Sequence, residues 1–237
     1  MHPLHLDRRR FLGSGIHAAA AASLGGFEFL SSLPAARAAE SRLPSSLVRF
    51  HPDMEPMVRW IEDCPRDRLL EEAAARVRDG LTYRNLLAAV FLAALRNVQP
   101  RPIGFKFHAV LMIHATHLAS LSAEDRDRWL PLFWALDQFK ASQEANVRQG
   151  NWALGSVEES KVPPAHKARQ ALEDALENWD EPAADAAITG MVRHAPAHEI
   201  FALLVRYGIR DFRELGHKLI YITNSFRDRK STRLNSS

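Results

Sequence analysis

Three imidazoles on one apolar stretch are the first chemistry in this sequence. "GFKFHAVLMIHATHLASL", residues 104–121, carries His108, His114 and His117 among Phe, Val, Leu, Met and Ile, with Lys106 near its start and a few small hydroxyl residues. At about 100° per residue, a helix here sets His114 and His117 on one face and His108 on another. A helix that is apolar all round is expected to be buried. A buried imidazole without a partner costs about 1–3 kcal/mol. Each of the three is therefore satisfied in the core, ligates a metal, or acts as an acid–base group. His114 and His117, three residues apart, form the candidate metal pair.

A second polar stripe lies further along. His217, Tyr221 and Asn224 fall at i, i+4 and i+7, and Arg210, Arg213 and Glu214 extend the stripe towards the N-terminus. Leu215, Leu219, Ile222 and Phe226 mark another side. The stripe is either a solvent face or the lining of a cavity. In the second case His217 serves as base or ligand, and Tyr221 and Asn224 orient a bound molecule. Asp137 stands in the middle of an apolar face set by Leu130, Phe133, Trp134 and Ala141, with Glu144 one heptad on. Carboxylates in such positions are paired when buried. Asp137 either pairs with Lys140 or an Arg, or orients an imidazole from behind. The candidate catalytic set is thus His108, His217, Asp137, Tyr221 and Asn224, and a metal or haem is the cofactor such a set would hold.

Other chemistries lack their motifs. There is no Gly-rich phosphate loop, no Gly-x-Ser-x-Gly elbow and no Cys–His nucleophile arrangement. No Glu-x-x-His pair occurs on two helices, which speaks against a ferritin-like di-iron site. His194 and His198 have i, i+4 spacing, but Pro196 places His194 before the helix that holds His198. Cys64 is the only cysteine, so neither an internal disulfide nor a Cys-built metal site is available.

The elements that must position these residues are helical. No stretch alternates apolar and polar residues with a Val, Ile and Thr excess, the strand pattern, and Ala, Leu, Glu and Arg dominate instead. Helices are expected over residues 53–63, 66–79 (stopped by Gly80), 82–98 (capped by Thr82) and 105–121. Ser122 with Asp125 has the spacing of a capping box and opens a long segment over 123–149, which Pro131 should kink or divide. A loop of about 16 residues follows, long enough to suggest function or mobility. Four more helices are expected at 165–179, 183–193, 196–207 and 211–227. The fold class is all-α, a helical bundle or short helical-repeat array of about 8–9 helices in a single domain over 51–227. "VRDGLTYRNLLAAVFLAAL" from Val77 resembles "VRHAPAHEIFALLVRYG" from Val192. Each leads to a second helix with His near its start, which suggests an internal duplication pairing His108 with His217.

The two ends differ from the middle. "LDRRRFLGSGIHAAAAASLGG" followed by "LPAARAAE" resembles a twin-arginine translocation signal, with Arg8-Arg9, Phe11-Leu12 and the small residues of Ala36-Arg37-Ala38 in order. The resemblance implies a signal peptide over 1–38, a polar leader over 39–50, the translocation machinery as a partner, and a periplasmic or extracellular destination. The apolar run is short, Gly-interrupted and contains Glu28, so no stable membrane span is expected. "DRKSTRLNSS", residues 228–237, resembles the in-frame translation of a short-read sequencing adapter, which would make it foreign to a native chain cut near Arg227. The formal net charge is +3. Residues 1–38 carry four Arg against Asp7 and Glu28, and residues 228–237 carry three cations against Asp228. Each end therefore holds a surplus of two positive charges, and the middle is close to −1. Nucleic-acid binding has no electrostatic support.

"FHAVLMIHATHLASL" and "ELGHKLIYITNSF", His-led helices with small residues between the imidazoles, resemble the histidine-bearing helical repeats of questin-oxidase-like proteins. The resemblance covers residues 104–141 and 197–226. It implies an all-helical oxidoreductase acting on aromatic or quinone-like compounds, with His108, His114 and His217 lining the site. Two functions follow from the sequence: an exported oxidoreductase holding a metal, haem or aromatic small molecule, and a non-catalytic helical ligand-binding or scaffold protein whose histidines are satisfied in the core.

Overall fold

Among the described residues the excess of Ala, Leu, Glu and Arg goes mostly into helix. The computed structural model describes residues 53–100, 104–155, 157–210 and 216–231, and among them it holds ten α-helices and no strand. Helices α1 (Glu55–Asp63), α2 (Arg66–Arg78) and α3 (Tyr83–Asn97) keep close to the expected boundaries. Gly80, at φ +101°, ends α2 in a conformation that a Cβ would resist. Its N–H donates to Val77 O and that of Leu81 to Arg76 O, the two bonds of a Schellman turn. Thr82 Oγ1 accepts from Asn85 N at 3.3 Å and caps α3. The run "LLAAVFLAAL" makes α3 apolar nearly all round, and Leu86 to Val90 and Leu92 to Ala94 are all buried.

The histidine stretch departs from its expectation. A 3₁₀ turn at Phe105–Phe107 leads into α4 (His108–Leu111), Met112 interrupts, and α5 (Ile113–Ser122) follows. This stretch is not buried all round. Phe105 is 81% and Leu118 47% exposed, and the three histidines are half-buried. The reason is that α5 buries a single stripe, Ile113, Thr116 and Ser120. Ser122 closes α5 instead of capping the next helix, and Asp125 accepts from Arg128 Nε at 2.8 Å. Helix α6 (Trp129–Arg148) therefore starts six residues later than the expected 123. Pro131 falls in its first turn, where a missing N–H leaves no bond unmade, so it helps to start the helix and no kink is needed.

Helices α7 (Ala165–Asn178), α8 (Glu181–His194), α9 (Ala197–Gly208) and α10 (His217–Ser231) complete the chain. Asp180 Oδ1 accepts from Ala183 N at 3.1 Å and caps α8. The expected start of the last helix at 211 lies outside the described residues, and α10 runs on through the first residues of the adapter-like segment. No described helix is long and apolar enough to cross a membrane.

The single domain expected over 51–227 divides into two compact units, the first holding α1–α6 and the second α7–α10. In the first, α6 packs against α2, α3, α5 and the 3₁₀ turn, and α1 packs against α3. Its interior is built from Val58, Ile61, Leu69, Leu86, Leu87, Val90, Leu132, Phe133, Leu136 and Phe139. Arg96 of α3 clamps α1, donating to Glu62 through Nε at 2.7 Å and to Glu55 through Nη1 at 2.8 Å. The second unit closes over Ala168, Leu172, Ala187, Met191, Ile200 and Leu203. His108 opens α4 in the first unit and His217 opens α10 in the second.

Candidate ligand site

The buried stripe of α5 is where the first unit places polar groups it does not satisfy. Ile113, Thr116, His117 and Ser120 fall within about a 100° arc of the helix. Thr116 is 3% and Ser120 0% exposed. Facing them from α3 is Tyr83, 1% exposed, whose ring lies 6.1 Å from the His117 imidazole at 38°. Among the described residues, Tyr83 Oη, Thr116 Oγ1 and Ser120 Oγ are all buried with no hydrogen-bond partner. Ser120 lies close enough to Tyr83 for its hydroxyl to ease ionisation of the phenol, yet the two oxygens do not meet in hydrogen-bond geometry. Burial dominates, and the Tyr83 phenol is pushed up to about 12, with the Ser120 hydroxyl and the Arg128 charge acting the other way.

Aromatic and cationic groups frame this nest. The Trp129 ring sits 5.7 Å from that of Tyr83, and Phe133 meets Trp129 edge-on at 6.3 Å. Arg128, its side chain 11% exposed, donates from Nη1 to the Ser120 and Leu121 carbonyls at 3.5 Å each, at the end of α5 where a cation is favoured. Hydroxyls can both donate and accept, an imidazole can do either, and a guanidinium only donates. Together they suit a small molecule carrying acceptor oxygens.

The residues singled out in the sequence are distributed differently. His117 belongs to the nest. His108 Nδ1 lies 3.2 Å from the Phe105 carbonyl and its ring 5.3 Å from the Phe105 ring, a local contact within one turn. His114 is half-buried on α5. Among the described residues no three His, Cys, Asp or Glu side chains gather as a metal-binding group, so the His114–His117 pair acquires no third ligand of that kind. Asp137 takes the first of its two expected roles, pairing with an Arg. It is 7% exposed, and both carboxylate oxygens accept from Arg66, at 2.7 Å from Nε and 2.9 Å from Nη2. Arg66 starts α2 and reaches α6, so a bidentate guanidinium occupies the position proposed for an imidazole. Glu144 touches the same guanidinium at 3.5 Å. Lys140, the other partner considered, donates to Glu62 O and Gln143 Oε1, and burial pushes its amine down.

In the second unit His217, Tyr221 and Asn224 are half-buried on α10, an arrangement between the solvent face and the closed cavity. Arg210 and Tyr207 both donate to Glu177 Oε1, at 2.7 and 3.0 Å, while Arg213 and Glu214 lie outside the described residues. His194 ends α8 and His198 lies in α9, so the two do not share a helix face. Tyr83, Thr116 and Ser120 were not singled out from the sequence. Their signal was present in the spacing of Thr116 and Ser120, one turn apart on the same stripe as Ile113. Lys106, another buried residue, has no partner for Nζ among the described residues. The chain matches no protein-family profile, no curated protein and no solved structure, and the nest stands on its own geometry.

Proposed function

We propose that the protein is a helical small-molecule-binding module whose site is the nest formed by Tyr83, Thr116, His117 and Ser120, and that its twin-arginine-like leader directs it to export. The observation that carries the reading is the set of three buried hydroxyls without a partner among the described residues. Buried polar groups in folded proteins are nearly always hydrogen-bonded, and clusters of exceptions mark places where something else supplies the bond. Binding is favoured over the oxidoreductase alternative because of the proposed catalytic and metal residues only His117 reaches the nest, while Asp137 is committed to Arg66.

Native mass spectrometry of the full chain, purified without denaturant, tests the reading. A small-molecule adduct is expected on the wild type and is expected to be lost in Thr116→Val/Ser120→Ala. After unfolding and refolding to strip small molecules, that double variant should be at least as stable as the wild type, since replacing an unpaired buried hydroxyl by an apolar group is neutral or stabilising. An adduct unchanged by the double substitution would refute the site. A loss of about 2 kcal/mol or more in the stripped protein would show that the hydroxyls have protein partners after all.

A further inference from the structure

We infer that the Leu154–Gly155 bond is a processing site, at which an endoprotease with an apolar subsite parts the chain into two pieces that each keep their fold. Exposure of a side chain does not by itself choose this bond. Eight large apolar side chains are exposed among the described residues, Phe105 and Val192 most of all. Seven of them lie in a helix, a 3₁₀ turn or a helix cap, where the backbone is bonded to its own turn. Leu154 is the eighth. It is 48% exposed, its neighbours Ala153 and Gly155 are exposed too, and among the described residues no backbone hydrogen bond holds the three. Proteases nick exposed, extended chain, and this bond is reached without unwinding a helix.

The segment is pinned on both sides. Before it, Asn146 of α6, 2% exposed, donates from Nδ2 to Trp152 O at 2.7 Å and accepts through Oδ1 from Gln99 N at 3.1 Å. The Asn146 carbonyl accepts from Asn151 N at 2.9 Å, across the left-handed pair Gly150 (φ +115°) and Asn151 (φ +53°). After it, both Glu159 oxygens accept from Arg193 of α8, at 2.7 and 2.8 Å, and the Pro163 carbonyl approaches Gly190 too closely to admit a Cβ. Between the pins the chain passes from one compact unit to the other, at Trp152–Ala153. Each unit closes a core of its own, so a cut here opens neither. Hydrolysis adds water across the bond: the hydroxyl goes to the Leu154 carbonyl carbon and the proton to the Gly155 nitrogen. Asn146 is a positioning residue for this step, because its bond to Trp152 O sets how much chain before the cut can extend into a protease.

Limited digestion of the full chain with subtilisin, sampled over time and read by mass spectrometry, tests this. The first cut among the described residues is expected after Leu154, and the fragments that end at 154 and begin at 155 should outlast the intact chain. Nothing lies within 4 Å of a Cβ at Gly155, so Gly155→Pro has room and should slow the cut at least about tenfold, because proline brings no N–H to the bond. Asn146→Ala should speed the cut about tenfold, the effect of losing a hydrogen bond or two where cleavage follows the open population. A first cut beside Phe105 or Val192, or within any described helix, would overturn the site, and so would a Gly155→Pro chain cut after Leu154 at the wild-type rate. Fragments that vanish as fast as they form would overturn the claim that each piece keeps its fold. An unchanged rate in Asn146→Ala, or cuts scattered over α1–α6 in that variant, would overturn its part as the pin, while the wild type and Gly155→Pro still judge the bond.

Discussion

Replacing Tyr83 by Phe removes one oxygen from the nest and leaves the ring that packs on Trp129. The side chain is 1% exposed and Oη has no partner among the described residues. A buried hydroxyl in that state costs about 1–3 kcal/mol. In protein refolded free of small molecules, Tyr83→Phe should therefore raise the unfolding free energy at pH 7 by about 1 kcal/mol or more. A second consequence appears in alkali. Burial holds the phenol at about 12 against an ordinary value of 10.0. The fold favours the neutral phenol, so this contribution is whole below pH 10 and is lost as pH rises towards 12. Two units correspond to about 2.7 kcal/mol, of which about half is gone at pH 11. The wild type should lose stability faster than Tyr83→Phe above pH 10, because only the wild type must return a proton to an ionised phenol when it folds. Urea unfolding followed by far-UV circular dichroism at pH 7, 9, 10 and 11 measures both effects. Destabilisation by about 1 kcal/mol or more at pH 7 would mean that Oη is hydrogen-bonded. Parallel curves above pH 10 would mean that the phenol is not held out of water.

Two further substitutions probe the framework around the site. Arg66→Met leaves the Asp137 carboxylate buried and unpaired and should cost about 3–5 kcal/mol. Asp137→Asn leaves Arg66, 40% exposed, free to turn to water or Glu144 and should cost nearer about 1 kcal/mol. Urea unfolding of the two variants checks the asymmetry, and the reverse order would refute the assignment of Asp137 as the buried partner. Gly190→Ala would put a Cβ 2.9 Å from the Pro163 carbonyl and 3.2 Å from Ala168 Cβ, so α7 and α8 must separate, at about 1–3 kcal/mol. At Gly208 the nearest atom is the mobile end of Ile222, and the same change should be milder. Thermal unfolding of the pair checks this: a gain of about 1 kcal/mol at Gly190, as for an exposed helix glycine, would show that the helices do not meet there.

Local signals carried the fold a long way. Thr82, Gly80 and Asp180 do what capping and glycine rules say, because those rules concern atoms within a few residues. The same range limits explain the failures. Pro131 has one meaning inside a helix and another in its first turn, and only the true start at Trp129 decides between them. Arg66 and Asp137 are 71 residues apart, so the guanidinium that claims the carboxylate is invisible to spacing. The histidines drew attention because imidazole has several chemistries. Thr116 and Ser120 did not, since a small hydroxyl on an apolar stripe becomes informative only when the opposite helix fails to answer it. Tyr83 is the group that stands opposite, and nothing in "LTYRNLL" announces which helix it meets.

The energetics connect the nest to the way α5 is held. Three unpartnered hydroxyls at about 1 kcal/mol each amount to about 3 kcal/mol. That is a large fraction of the 5–15 kcal/mol that holds a typical domain together. Helix α5 has little with which to offset it, since it buries only Ile113, Thr116 and Ser120 and leaves Leu118 half in water. A ligand at 100 times its Kd would return about 2.7 kcal/mol, close to the whole deficit. On the proposed binding reading, occupancy and the seating of α5 on α3 and α6 would be one equilibrium. Local rules of polar satisfaction are broken mainly where function requires it. Thr116→Val/Ser120→Ala should accordingly stiffen the empty protein and abolish its response to ligand, which an ordinary packing defect would not do.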